Sequence, residues 1–370
     1  MIKRIYIDNF KCLVNFEYRP APVQLLFGAN GSGKSTVFEV LTALRQFITW
    51  GDSTKNAFPA QTLTLWQNRA EQTFELEVEG NGGTYTYNLT IEHNRVLNKN
   101  SVKLEELRFN GQPLYTFDGE NAHLFRDDFS EGPVFPQDGS RSGMASIPPR
   151  GDTQRLTWFR DRMGQMYILA IDPLRMMPGS LGEQMAPDPG LADFASWYRH
   201  LTQDSPERMG PLFASLADVI EGFTGMGLEA AGVARMLRVS FEHHGEEGRQ
   251  QQFNLLLNQI STGQRCIIAL FTLLHCAVRP GRTLCIDEPD NFVSLREIQP
   301  WLDELRDRVE QEKSQCLLIS HHPELIDHLA VKHGVLFTRT GQSPVRIKPV
   351  DWSKTDALRP SEIVARGWEE

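Results

Sequence analysis

The sequence predicts an α/β protein, a mixed β-sheet flanked by helices, interrupted by a mainly helical insertion lobe. Three observations predict it. A short apolar strand at 23–27 runs straight into a glycine-rich loop, and Val37, Phe38, Val40, Leu41, Leu44, Phe47 and Ile48 then fall at helical spacing. From about residue 231, helical segments alternate with apolar strands at 284–286, 316–320 and 335–338, the pattern of a parallel sheet covered by helices. Between these halves, from about 96 to 230, the pattern changes character, with a long Gly-, Pro-, Ser- and Asp-rich stretch followed by helical segments from 154.

In chain order, the opening MIKRIYIDNF alternates like a strand, with Ile2, Ile5 and Ile7 on one face. Residues 74–80 alternate with period two, Asn81-Gly82-Gly83 turns, and residues 84–91 return, which predicts a hairpin. A second hairpin is expected around Asn110-Gly111. Residues 118–152, rich in Gly, Pro, Ser and Asp, read as one long mobile or functional loop. Helices are expected at 154–169, 191–202 and 211–223, and strands again at 237–241 and 253–257. The chain thus divides into the first half of a head (1–95), an insertion lobe (96–230), the second half of the head (231–350) and a C-terminal tail (351–370). No internal repeat or heptad array interrupts this reading.

Composition sets the class: of 370 residues, 40% are hydrophobic and 23% charged, which suits a soluble globular chain. The longest apolar run, 266–278, falls short of the roughly 18 residues of a membrane span and fits a buried helix. The start lacks the apolar core and cleavage site of a leader peptide, so a cytoplasmic protein without a membrane partner is expected. Cys12, Cys266, Cys276, Cys285 and Cys316 are scattered singly, without metal spacing or a disulfide framework. A net charge of −9 provides no global basic field for nucleic acid, which leaves only a local basic groove for such contact.

Four stretches carry chemistry. The first is Gly28-Ala-Asn-Gly-Ser-Gly-Lys-Ser-Thr36, a G-x-x-x-x-G-K-S loop between a strand and a helix. Its glycines let backbone N–H groups turn onto phosphate oxygens, and the helix N-terminus adds a favourable dipole. Lys34 would reach the β and γ phosphates, and Ser35 would ligate Mg²⁺. The expected nucleotide contacts are Asn30, Gly31, Gly33, Lys34, Ser35 and Thr36, with ATP and Mg²⁺ as the cofactors. The second is Thr283-Leu-Cys-Ile-Asp287-Glu288-Pro289, an apolar strand ending in two carboxylates. Asp287 is the expected metal partner, directly or through water, and Glu288 the base that polarises a nucleophilic water. Read alone, the same stretch is equally an exposed turn after a core strand. The third, Ser261-Thr-Gly263-Gln264 before an apolar helix, is by itself a turn or a helix cap. The fourth is an apolar strand running into His321-His322; a metal reading of this pair lacks a spaced acidic or Cys partner. His243-His244 reads as a solvated hairpin tip.

In this order the four resemble the motifs of ABC-type ATPases. Ile260-Ser-Thr-Gly-Gln264 is similar to their Leu-Ser-Gly-Gly-Gln signature, with Ile260 for Leu and Thr262 for the first Gly. The resemblance implies that Ser261 and Gly263 meet the γ-phosphate bound by the opposite subunit, with Gln264 also among the nucleotide-binding residues, and that His321 senses the γ-phosphate. The opening I-x-x-I-x-I-x-N-F-K resembles the heads of SMC, RecF and RecN proteins and of overcoming-lysogenisation-defect (OLD) ATPases. The segment from Asp287 to Trp301 resembles the DEP-E-N-x-L-H-P segment of compact OLD-like ATPases, departing from it where the His-Pro pair would fall. There the family places a dimer-contacting loop, to which Asp290 and Asn291 would contribute. A phosphate-sensing glutamine that also reaches the metal is implied; Gln67 and Gln72 both precede the strand at 74, and Gln67 is favoured.

Without heptads the chain has no SMC-type arms, and the stretch after His321 has no room for the TOPRIM nuclease domain of OLD proteins. The resemblance therefore implies a homodimer clamped around ATP, with higher assembly left open, that gates a DNA-related process or a separate effector protein such as a nuclease. Anti-phage defence or genome maintenance is the implied setting. The alternative is an ATP-assembled scaffold or sensor with negligible turnover. A transporter ATPase is disfavoured by the N-F-K start, and a small-molecule kinase would leave the signature without purpose.

Overall fold

The structure is a computed structural model that describes residues 1–244, 250–350, 352 and 358–367. In chain order it runs β1 (Ile2–Asp8), β2 (Phe16–Tyr18), β3 (Val23–Phe27), α1 (Lys34–Trp50) and α2 (Thr54–Ala57). Six strands follow: β4 (Glu71–Gly80), β5 (Gly83–Asn94), β6 (Lys99–Phe109), β7 (Gln112–Phe117), β8 (Asn121–Phe125) and β9 (Glu131–Pro136). Then come α3 (Gln154–Gly164), β10 (Tyr167–Leu169), β11 (Gly179–Ser180), α4 (Phe194–Asp204) and α5 (Met209–Val219). The next are β12 (Phe223–Ala231), β13 (Ala234–His244), β14 (Gln250–Leu256), α6 (Thr262–Thr272) and β15 (Thr283–Asp287). The chain closes with α7 (Leu295–Gln311), β16 (Gln315–Ile319), α8 (Pro323–His333), β17 (Gly334–Thr338), β18 (Arg346–Lys348) and α9 (Pro360–Ala365).

Two sheets position the site. The inner one has the order β10-β15-β16-β3-β17-β18 and is parallel except for β18. Its strands β3 and β16 are buried at every position, which is why they read as continuous apolar runs: a parallel strand is covered on both faces. The outer sheet is an eight-stranded antiparallel meander, β2-β1-β4-β5-β6-β7-β8-β9. Its strands β4 and β5 alternate buried and exposed positions, as the period-two sequence predicts. Helix α1 buries all seven of the predicted apolar residues and fills the space between the two sheets, where they share one core with Leu26, Leu317 and Ile319. The opposite face of the inner sheet packs on a second core built from α4, α6, α7 and α8. A third, small sheet gathers β11, β12 and β14 on β13.

The hairpins at Asn81-Gly82 and Asn110-Gly111 form, with positive φ at both residues of each turn. The stretch from 96 to 230 takes a different form from the helical lobe expected. Strands β6 to β9 extend the meander through it, and helices begin only at α3. Residues 118–152 are correspondingly no single loop: they hold β8, β9 and a 3₁₀ turn at Met144–Ser146. Strand β9 carries Pro133 and Pro136 and lies at the sheet edge, where proline is tolerated, with Pro133 falling at a shift of register against β8. The helix expected over 154–169 ends at Gly164, and its remainder becomes β10, paired with β15. His243 is exposed at the end of β13, and the tip beyond it lies outside the described residues. All five cysteines are buried and unpaired. Among the described residues, no helix is long and apolar enough to cross a membrane.

Candidate nucleotide site

The glycine loop leaves the C-terminal end of β3 and enters α1. Gly28 has φ +133°, and a Cβ there would lie 2.2 Å from the carbonyl oxygen of Phe337 on the neighbouring strand. Gly33 caps α1 with φ +96°, and its Cβ would lie 2.6 Å from Val345 Cγ2. Both positions therefore demand glycine for conformation and for close approach. Lys34 is 5% exposed; its Nζ donates to Gly28 O (3.0 Å), Ala29 O (3.1 Å) and Ser32 Oγ (3.4 Å). Burial lowers its pKa, opposed by the charges of Glu288 and Asp287. A buried ammonium satisfied only by neutral oxygens, at the N-terminus of a 17-residue helix, fits an anion.

The acidic pair stands opposite. Parallel pairing of β15 with β16 sets Asp287 beside Ile319 and brings the following Glu288 and His321 together. Burial raises the pKa of Asp287, while a hydrogen bond from the Ser35 side chain and the charge of Lys34 act against it. One hydroxyl and one carboxylate make a donor set that suits Mg²⁺ completed by phosphate oxygens and water, so the residues present fit the expected ion. Among the described residues, no cluster of three or more His, Cys, Asp or Glu side chains could hold a metal. His322 instead caps α8, its Nδ1 accepting from the N–H of Glu324 at 3.2 Å.

Glu288 adopts φ +50°, a left-handed conformation that a side chain rarely takes and that clusters at functional sites. Its N–H donates to Ile319 O at 2.9 Å, which fixes the turn. Burial, then repulsion from Asp290 and Asp287, raises its pKa to about 7. His321 Nε2 lies 3.6 Å from Glu288 Oε1, and burial together with the Lys34 charge lowers the imidazole pKa. Near physiological pH Glu288 therefore exchanges between carboxyl and carboxylate, and the lowered imidazole beside it favours the neutral form.

Around these groups opens a cleft of about 770 Å³ lined by Asn30, Gly31, Gly33, Lys34, Ser35 and Thr36 on one side and by Asp287, Glu288 and His321 on the other. Nine of the expected residues thus converge. Neither Gln67, the favoured glutamine, nor Gln72 joins them. The Gln67 side chain turns inward, its Oε1 buried without a partner, and Gln72 is fully buried against Asn9 O, Thr62 Oγ1 and His93. Gln61, on the 3₁₀ turn Ala60–Thr62, lines the cleft in their place. Trp66 and Arg339 also line it, with the guanidinium 5.4 Å from the ring centroid, a pair that offers a purine base a stacking surface. The sequence contained Trp66 but no sign that its segment folds back over the loop.

Ser261, Gly263 and Gln264 lie outside this cleft. They form the N-terminus of α6, where Ser261 Oγ accepts from Gln264 N–H and Gln264 Oε1 accepts from Ser261 N–H, both at 3.1 Å. Ser261 is exposed, and a Cβ on Gly263 would lie 3.0 Å from Phe292 O, in the turn after the acidic pair. In that turn Asp290 points inward, 5% exposed, while exposed Asn291 lines the cleft.

A family model described as "AAA domain, putative AbiEii toxin, Type IV TA system" matches residues 25–327. Among solved structures, an SMC head bound to the C-winged helix domain of ScpA is 12% identical, with a TM-score of 0.57 over 96% of this chain and 99% of that one. The SMC head domain from Thermotoga maritima is 15% identical, with a TM-score of 0.47 over 95% and 99% of the two chains. The mixed α/β fold is thus that of an SMC-type ATPase head, as the motifs implied. No curated protein matches.

Proposed function

The chain belongs to this AAA-domain family, and on that premise we propose that it is a Mg²⁺-dependent ATPase switch whose two copies clamp two ATP molecules between them. One observation supports the proposal: the residues expected to bind phosphate and metal and to act as base converge in one cleft, while Ser261, Gly263 and Gln264 stand apart on an exposed helix start. A second copy would complete each site.

Within a site, Lys34 exchanges its carbonyl partners Gly28 and Ala29 for phosphate oxygens. Ser35 and Asp287 would hold Mg²⁺, which when bound neutralises phosphate charge and polarises the transferred group. Ionised Glu288 accepts the proton of the attacking water, and neutral His321 at 3.6 Å orients water and γ-phosphate. Contacts from Ser261 and Gly263 to the γ-phosphate exist only in the closed pair, which supplies the differential free energy that a switch requires. Hydrolysis removes them and opens it.

The gated process is read from the motifs' resemblance to stand-alone heads: DNA-related work, or a separate effector such as a nuclease, in anti-phage defence or genome maintenance. Phosphate release decides between this enzyme and an ATP-assembled scaffold. The wild-type chain should hydrolyse ATP with Mg²⁺, and Glu288→Gln should retain ATP binding but lose ~10²-fold or more of the rate. A rate untouched by the substitution sinks the enzymatic reading.

A further inference from the structure

We propose that a recess between α2 and the turn joining β5 to β6 binds a phosphate group, carried by a free phosphate anion or by a nucleic-acid backbone. The site is separate from the glycine loop, and it stands whether or not the chain turns over ATP. The recess has a volume of about 130 Å³, and three cations line it, Lys55, Arg95 and Lys99. Among the described residues, no carboxylate lines it or forms an ion pair with any of the three. In a chain of net charge −9, three like charges gathered without a counter-charge repel one another, and a bound anion relieves them.

Hydrogen bonds hold the cations in place. Asn100 Nδ2 donates to Thr54 O (3.0 Å) and Phe58 O (2.6 Å), and Thr54 Oγ1 donates back to Asn100 O (3.1 Å). The start of β6, which carries Lys99, is thereby pinned to α2, which carries Lys55. One guanidinium nitrogen of Arg95 donates to Gln67 O (3.0 Å) and Arg69 O (3.3 Å), which anchors the side chain and leaves its other donors for a ligand. His93, 4% exposed, has its pKa lowered to about 4 by burial and then by the Arg95 charge, so it stays neutral and adds no fourth cation. A phosphate presents its oxygens tetrahedrally and can meet cations on three sides at once, whereas a carboxylate offers two oxygens in one plane. A wider cleft of about 660 Å³ adjoins the recess and shares Arg95 and Lys99, with Glu92 its one carboxylate among the described residues, and it gives room for whatever carries the phosphate. Gln61 lines both the recess and the nucleotide cleft, so the two sites share a wall.

The test uses the full chain carrying Lys34→Ala, which removes the cation of the glycine loop, and two probes at low salt. Inorganic pyrophosphate is followed by calorimetry and a fluorescein-labelled oligothymidylate by anisotropy. In that background Lys55→Gln/Arg95→Gln/Lys99→Gln is compared with Lys3→Gln/Lys313→Gln/Lys332→Gln, which removes the same charge elsewhere on the chain. All six side chains are exposed, so neither set disturbs the packing. The proposal expects the first set to weaken at least one probe by about tenfold or more, and the second to leave both within about twofold. Weakened pyrophosphate supports the site with a free phosphate anion as its ligand. Weakened oligonucleotide alone, with a shallower dependence on salt, supports it with a nucleic-acid backbone. No binding of either probe to the Lys34→Ala chain, or equal affinities in the two substituted sets, overturns the proposal and leaves the ATPase reading untouched.

Discussion

Burial, and then the charges of Asp290 and Asp287, raise the pKa of Glu288 to about 7. A base must be ionised to accept a proton, so the ATPase rate should rise as pH passes about 7 and level off above it. A rate flat between pH 6 and 8 would remove Glu288 from that role. Trp66 and Arg339 make a second residue-scale claim. If the ring stacks on the base, Trp66→Ala should weaken ATP about tenfold and leave inorganic tripolyphosphate unchanged, measured by calorimetry. The glycine loop was legible because its signal is local, a G-x-x-x-x-G-K-S run between strand and helix. The acidic pair, which alone reads as an exposed turn too, was legible through its order after that loop. Gln61 was not, because a glutamine's distance from a phosphate depends on the 3₁₀ turn at Ala60–Thr62 and on how that segment folds back over the loop.

Register between elements performs the assembly. Pairing β15 with β16 puts Asp287, Glu288 and His321 at one end of the inner sheet, and β3 between β16 and β17 delivers the glycine loop to the same end. The outer meander has its own hinge of stability in Glu105, fully buried on β6, which accepts from Tyr87 (3.0 Å), Ser142 (2.5 Å) and Gly143 N–H (3.3 Å). Burial raises its pKa to about 7 against the pull of those donors. A carboxyl with a raised folded pKa stabilises the fold while protonated, and this contribution fades as pH climbs from about 4.5 to about 7. Denaturant unfolding should therefore show stability falling across that window by on the order of 3 kcal/mol, and Glu105→Gln should flatten the dependence. An unaltered slope in the variant would place the titration elsewhere. The hairpins of this sheet were legible from Asn-Gly turns between alternating strands. Its outer strands were not, since β8 and β9 are short and β9 carries two prolines that only an edge tolerates.

At the scale of the molecule, each chain gathers in one cleft the residues proposed to hold and attack a γ-phosphate, while Ser261, Gly263 and Gln264 of the proposed signature lie outside that cleft. The order of the motifs foretold one head. It did not foretell that the strands after residue 96 would extend the first sheet, because the segment's apolar spacing suits short strands and helices alike. The account stands on the claim that two such heads close around ATP. The measurement that tests it most directly is the mass, by light scattering, of Glu288→Gln with and without Mg-ATP, beside Glu288→Gln/Ser261→Arg. The account predicts twice the chain mass for the first protein only when Mg-ATP is present, and a monomer for the second, although both bind ATP. A Glu288→Gln protein that binds Mg-ATP and stays monomeric, or a doubly substituted protein that still pairs, would contradict it.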